Sequence, residues 1–296
     1  MVFEGSVTAR RRPHEHHRGR ELPRLPRRLH RPGPHGQHAR PGDTVGAELV
    51  ADDIVAVDLT GDIKTVTDTS GAVHRARAVI VTTGSQHRKL GLGREDDLSG
   101  RGVSYWATCD GCFFRDRDIV VVGGADTAME EATFLTRFAR SVTIVHRRST
   151  LRASQVMQSR AFADDKISFA FDSEIGEIKE EGGALASLVL RDTLSGRTRD
   201  LDATGLFVAI GHDPRTELFA GQLDLDDEGY LKVEAPSTRT NIAGVFGAGD
   251  VDDHTYRQAI TAAGSGCAAV LDAERYLAAL TESEAAAEPE KTPVTA

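Results

Sequence analysis

The tightest constraint on this chain lies between residues 119 and 145. Ile119, Val120, Val121 and Val122 form a short apolar run that enters Gly123-Gly124-Ala125-Asp126-Thr127-Ala128. Ala128, Ala132 and Leu135 then fall on one face at helical spacing, which predicts a helix. Residues 142–145 return as a second apolar strand and stop at His146-Arg147-Arg148. A strand, a glycine turn, a helix and a second strand within about 30 residues make the unit that binds dinucleotides. The helix start offers unpaired N–H groups and partial positive charge to a pyrophosphate, and small residues let the phosphates approach. Gly123, Gly124, Ala125, Asp126, Thr127 and Ala128 are therefore candidate cofactor residues. Ala125 replaces the middle glycine of the G-x-G-x-x-A pattern, and its methyl intrudes where the pyrophosphate should come close. An acidic residue after the second strand would bind a ribose hydroxyl; His146, Arg147 and Arg148 stand there instead. Arginine holds a 2′-phosphate, so NADPH is expected over NADH. The plainer alternative is a solvated basic loop after a structural turn.

The rest of the chain leaves room for a second domain, since 296 residues exceed what one domain of common size needs. With 40% apolar and 27% charged residues and a net charge of −9, the profile is that of a soluble globular protein. No apolar run has the length of a membrane span, and no secretion signal opens the chain, so a cytoplasmic location is expected. Residues 10–40 depart from the rest: 10 Arg face only Glu15 and Glu21, and the segment holds 6 of the 11 His and 5 of the 10 Pro. A basic arm for nucleic acid is one reading of it. Prolines that prevent a helix and the lack of interleaved aromatics argue against that, and no nucleic-acid partner is expected.

From Gly46 onward the pattern is that of alternating strands and turns. Residues 54–59 and 63–67 predict a hairpin around Thr60-Gly61-Asp62, and residues 76–81 a strand ending in Thr82-Thr83-Gly84-Ser85. Further strands are expected at 167–171, 186–190, 206–210, 231–233 and 244–246. The last leads to Gly247-Ala248-Gly249-Asp250 and a helix from about Tyr256 to Leu280. The Glu-, Ala- and Pro-rich tail, 281–296, is expected to be disordered. Three cysteines cannot build a disulfide framework. Cys109 and Cys112, in Cys-Asp-Gly-Cys, point to redox or metal chemistry, while Cys267 is expected to be packed; no metal set is proposed.

Several motifs in fixed order make residues 46–280 resemble the low-molecular-weight bacterial thioredoxin reductases. They are Thr83-Gly84-Ser85, Ala107-Thr108-Cys109-Asp110-Gly111, the Gly123 turn, His146-Arg147-Arg148 with Arg152, Gly211-His212-Asp213-Pro214, and the stretch from Gly249 to Gly266. The resemblance implies an α/β fold of two Rossmann-like, three-layer ββα nucleotide-binding domains. An NADPH domain at 89–214 would be inserted in an incomplete FAD domain at 1–88 and 215–280. It implies FAD and NADPH as cofactors, thioredoxin or a similar protein as partner, a homodimer, and electron flow from NADPH through flavin to a cysteine disulfide. It places Asp250 on the flavin's ribityl chain and Arg257, Gln258 and Ala259 near the flavin ring. Arg147, Arg148 and Arg152 fall near the 2′-phosphate, and Thr83, Gly84, Gly211 and Gly249 among the cofactor-binding turns. Glu4, at what resembles the end of the family's second strand, would meet the FAD ribose.

The chain departs from the family at two places. Trp106 stands where the family has its partner-attacking cysteine. The flavin-facing cysteine survives as Cys109, followed by Asp110 as proton donor. Cys112 restores a Cys-x-x-Cys spacing on the other side, and two readings stay open: a relocated redox pair, or a buried, inert Cys112. The second departure is the opening. The strand, glycine fingerprint and helix expected ahead of Val2 are missing, and residues 10–44 replace a Thr-rich family segment. Residues 13–24 have synonymous codons that, read one base later, spell the family's Thr-Thr-Glu-Val-Glu-Asn-Phe-Pro. An out-of-frame segment over 10–44 is therefore inferred. Three functional readings follow: an impaired reductase of the thioredoxin-disulfide type, a catalytically dead product that binds NADPH, or a flavin reductase with a non-disulfide acceptor.

Overall fold

The computed structural model describes residues 1–3 and 47–287. Glu4, the basic 10–44 segment and the last nine residues of the tail lie outside them. The chain divides into two compact units, Ser85–Pro214 and a discontinuous unit made of Met1–Gly84 with Arg215–Ala296. The first crossing falls after Gly84 and not after residue 88, because Ser85–His87 pairs antiparallel with His212–Pro214 inside the Ser85–Pro214 unit.

That unit is built on a parallel sheet with strand order Ile167–Ala170, Ser141–Val145, Asp118–Val122, Gly205–Val208, Val103–Ser104. Buried parallel strands read as continuous apolar runs because both faces are covered. The central strand obeys this rule: Val120 and Val122 enter one core, Ile119 and Val121 the other. Two short helices follow edge and centre of the sheet, α1 (Ala107–Asp110) and α2 (Asp126–Leu135). Helix α2 buries Ala128, Met129, Ala132 and Leu135 completely, the face set by the sequence spacing. The opposite face is covered by an antiparallel sheet of Ser173–Glu181, Ala184–Asp192 and Thr198–Asp202, through Ile175, Ile178, Leu185, Leu188 and Leu190. The fold is thus α/β in three layers. Its first and third antiparallel strands escape the sequence pattern. Ser173–Glu181 carries four acidic residues, and a register shift between Ile175 and Glu177 breaks its alternation. A third helix, α3 (Gln155–Phe162), also goes unforeseen, having only Ala161 buried.

In the other unit, Ile54–Asp58, Lys64–Asp68 and Val73–Ala76 form an antiparallel sheet. The strand expected over 76–81 is two, since Val79–Val81 leaves that sheet and pairs parallel with Val245–Gly247. Val2–Phe3 pairs parallel with Leu49–Val50. Residues 231–233 make no ladder, only a bridge between Leu231 and Leu225. Helix α4 (Ala259–Ala287) begins later than Tyr256 because Arg257 adopts φ +48°, a left-handed conformation no helix can include. It also runs past Thr281, correcting the expectation that the tail is unstructured from that point; its Glu- and Ala-rich sequence is a good helix former. No helix among the described residues is long and apolar enough to cross a membrane.

Candidate nucleotide and redox sites

The Asp118–Val122 strand delivers the glycine turn to the carboxyl edge of the parallel sheet, where such sheets bind ligands. Gly123 leaves no room for a side chain: a methyl there would stand 2.4 Å from the Ala209 carbonyl oxygen and 2.6 Å from the Ala128 methyl. Ala128 therefore serves close helix–strand packing and does not point outward. Ala125 precedes α2 in an extended conformation, and its carbonyl accepts from the N–H groups of Ala128 and Met129. Thr127 is exposed in the first turn, and Asp126 Oδ1 accepts from the Ser154 N–H at 2.5 Å, tying the helix start to the loop before α3. Gly211, at φ +103°, accepts from the Arg88 N–H at 2.9 Å.

The basic loop divides into inward and outward residues. Arg147, Arg148 and Arg152 are exposed, and none of them forms an ion pair among the described residues. His146 is only 7% exposed, and its Nε2 donates to the Thr150 carbonyl at 3.0 Å. Burial pushes its pKa below the ordinary 6.5, opposed by hydrogen bonding to the Thr150 backbone and helped by the charge of Arg152. The imidazole packs inward, so it differs from its three neighbours in what it can touch.

Beyond the edge strand Val103–Ser104, Trp106 caps α1, its carbonyl accepting from the Asp110 N–H at 3.0 Å. Its N–H donates to Ser104 Oγ at 3.1 Å, and the Ser104 hydroxyl donates to Asp110 Oδ2 at 2.7 Å. The indole is half-buried, with ring centroids 5.4 Å from His87 and 6.0 Å from Tyr105, while His87 stacks on Tyr105 at 3.6 Å. The Tyr105 hydroxyl donates to Glu95 at 2.9 Å, and that buried carboxylate also accepts from the N–H groups of Leu90, Gly91 and Leu92. Trp106 thus ends a fixed aromatic stack. Cys109 lies in α1 and Cys112 in the following 3₁₀ turn, Gly111–Phe114. Both are exposed, and neither is in a disulfide. The reading of Cys112 as buried is therefore corrected: Gly111 packs against Leu135 and Phe134, which turns the next residue outward. Cys267 is likewise exposed on α4 and not packed. Partial cover of the Cys109 sulfur, then the charge of Asp110, push its thiol pKa up, which disfavours the reactive thiolate.

In the discontinuous unit, Thr83 and Gly84 follow the Val79–Val81 strand. Thr83 Oγ1 donates to the Arg215 carbonyl at 2.7 Å, and Gly84 takes φ +73°. Gly249 takes φ +83°, and its N–H donates to Ser265 Oγ at 3.0 Å. Asp253 organises the next turn by accepting from the N–H groups of Thr255, Tyr256 and Arg257 at 2.7–2.9 Å. Arg257 reaches the His254 carbonyl and the Tyr230 hydroxyl. The Gln258 carbonyl accepts from Ala262 N–H, and Ala259 opens α4, exposed. Asp250 and Asp252 are half-buried. Burial, with the charge of Asp253, raises Asp250, and Asp252 is pushed up to about 6 chiefly by burial. Asp252 Oδ1 is buried with no hydrogen-bond donor among the described residues.

Comparison with known proteins now decides the family. The model of the pyridine nucleotide-disulphide oxidoreductase family matches residues 16–266. The chain belongs to this family. It is 76% identical over 244 residues to a thioredoxin reductase of Streptomyces clavuligerus, covering 82% of this chain and 76% of that one. It is 59% identical over 232 residues to the thioredoxin reductase of Mycolicibacterium smegmatis, covering 78% and 74%. The crystal structure of thioredoxin reductase from Streptococcus pyogenes superposes with a TM-score of 0.76 at 38% identity, covering 81% of this chain and 78% of that chain.

Thioredoxin reductases of this family use FAD and NADPH, and the residues present fit both groups. Three exposed guanidinium groups beside a helix start suit a phosphorylated dinucleotide. The donorless Oδ1 of Asp252, beside a second desolvated carboxyl at Asp250, suits the hydroxyl donors of a flavin side chain. Sequence reasoning missed Asp252, Ser104, Glu95, Thr150 and Ser154. Of these, only Ser154 acts through a partner far along the chain, Asp126; the partners of Ser104, Glu95 and Thr150 are near in sequence but fall in no periodic pattern. Asp253 was missed as well, although an Asp two to four residues ahead of the N–H groups it holds is a local turn signal.

Proposed function

We propose that the chain is an NADPH- and FAD-binding oxidoreductase of the thioredoxin reductase type whose disulfide relay is interrupted at Trp106. The observation that carries the nucleotide half is the set of Arg147, Arg148 and Arg152, exposed and outside any described ion pair, beside the glycine turn. These would hold the 2′-phosphate, and the start of α2 the pyrophosphate, with the Ala125 methyl weakening the contact. Asp250 and Asp252 would accept from the ribityl hydroxyls, and Arg257, Gln258 and Ala259 would lie near the flavin ring. When bound, NADPH supplies a hydride and FAD passes its two electrons on to a disulfide.

The relay end supports impairment. A dithiol relay needs one thiol to attack and one to resolve, and an indole can do neither. Trp106 is held by its cap and its aromatic neighbours, while burial and then the charge of Asp110 push the Cys109 thiol up. Asp110, fixed by Ser104, would hold the proton near Cys109. Cys112 is exposed three residues further on, so a Cys109–Cys112 pair is the one relay open to this chain. The partner class under this reading is thioredoxin, with a cytoplasmic homodimer as its setting. The second reading, an NADPH-binding product without turnover, rests on the same indole.

Titration of the purified chain should show NADPH binding at least about tenfold tighter than NADH, and Ala125→Gly should tighten it further. Equal affinities would sink the assignment of the basic loop. With NADPH and added FAD, the chain should not turn over a chromogenic aromatic disulfide. Robust turnover abolished by Cys112→Ser would replace the interrupted relay with a relocated one.

A further inference from the structure

We infer that His146 is a positioning residue: its imidazole is the wedge that fixes the basic loop, residues 147–152, to the glycine turn, and thereby sets the selectivity for a 2′-phosphorylated dinucleotide. The inference rests on the NADPH reading above. It begins with Gly124, where a methyl would stand 2.2 Å from both Cε1 and Nδ1 of His146 and 2.8 Å from Nε2, its three nearest atoms all belonging to that ring. Gly124 is thus kept bare by its own protein's imidazole. The other edge of the ring donates from Nε2 to the Thr150 carbonyl at 3.0 Å, so one flat side chain spans from turn to loop.

The backbone closes the same circuit. The Gly124 carbonyl accepts from the N–H groups of Arg152 at 2.7 Å and Ala153 at 3.0 Å. The His146 N–H donates to the Ala170 carbonyl, and its carbonyl accepts from the Ser173 N–H, both at 3.0 Å. Arg147, Arg148 and Arg152 leave this circuit as exposed side chains whose Cα positions are set by it. Where the three charges sit relative to the helix start depends on the thickness of the imidazole lying between them. A pyrophosphate held at the turn then places a 2′-phosphate within reach of the arginines only while that spacing holds.

His146→Ala, Gly124→Ala, the double variant and His146→Gln test this, with calorimetry for NADPH and NADH and amide hydrogen exchange for residues 147–152. His146→Ala is expected to weaken NADPH roughly tenfold, leave NADH unchanged and speed exchange across the loop. Gly124→Ala, by displacing the ring, should likewise speed exchange across the loop and weaken NADPH more than NADH, and the double variant should be no worse than either single one. His146→Gln, which keeps a neutral N–H donor toward Thr150, should recover most of the selectivity. Equal weakening of both nucleotides, or additive effects in the double variant, would overturn the inference. If the parent itself binds both nucleotides equally, the NADPH reading fails and selectivity drops out of the inference. Loop exchange then still decides the wedge, which unchanged rates in His146→Ala would overturn.

Discussion

In the Ser85–Pro214 unit all five parallel strands share one sheet, whereas among the described residues of the other unit parallel pairing stops at two separate pairs. The central strand of the first has Ile119, Val120 and Val121 at 1% exposure or less. In the second, α4 leaves Ile260 83% and Val270 58% exposed. A sheet covered on both faces hides each apolar side chain of its strands; a helix covered along one stripe cannot. The strands that lead into the two glycine turns are buried alike, with Val245 0% and Phe246 1% exposed, so the contrast lies in α4.

The contrast should be largest for core truncations. Phe207, fully buried and edge-on to Phe114 at 4.8 Å, should cost about 3–5 kcal/mol as Phe207→Ala. Ile260→Ala should stay within about 0.5 kcal/mol. Denaturant titration reads both: the single tryptophan, Trp106, reports on the Ser85–Pro214 unit, and circular dichroism follows α4. Comparable costs at the two sites would erase the difference. A smaller effect is expected at Asp253→Ala, about 1–3 kcal/mol from three N–H groups losing their acceptor. It should appear as faster amide exchange in residues 254–258 and leave residues 147–152 unmoved, because the basic loop is tied through several backbone partners.

The smallest effect concerns pH. Asp252 titrates near 6 in the folded chain against an ordinary 3.8, so the folded state binds the proton more tightly. That contribution to stability is fully present below 3.8 and is lost as pH rises through 6. The unscreened shift corresponds to about 3 kcal/mol, and half-exposure reduces it to about 1. Asp252→Asn should therefore raise the melting temperature at pH 7.5 and leave it unchanged at pH 4. A variant destabilised at pH 7.5 would show that the carboxylate is engaged in the folded chain. FAD binding should reduce the gain by supplying donors to Oδ1.

Where the sequence read well, the signal was local. The helix at 126–135 follows from Ala128, Ala132 and Leu135, and the two flanking strands from unbroken Val and Ile. Where it read poorly, the deciding contact left no periodic pattern in the chain. Residues 231–233 are as apolar as a strand but find only Leu225 to bridge. Ser173–Glu181 looks too charged for a strand, yet Ile175 and Ile178 supply all the burial it needs. In the candidate sites, the Gly123 turn at the end of its strand was legible from spacing, while Ser154, Thr150 and Glu95 carried no pattern of their own.

The sequence by itself determined the glycine turns, the order of strands and helix around the first of them, and the basic loop. All of these depend on residue type and on neighbours a few positions away. Only the tertiary structure decided which way each side chain faces. Packing against Gly124 turns His146 inward, packing of Gly111 on α2 turns Cys112 outward, and α4 leaves Cys267 exposed. Exposure is set by elements brought together from far along the chain, and no local pattern encodes it.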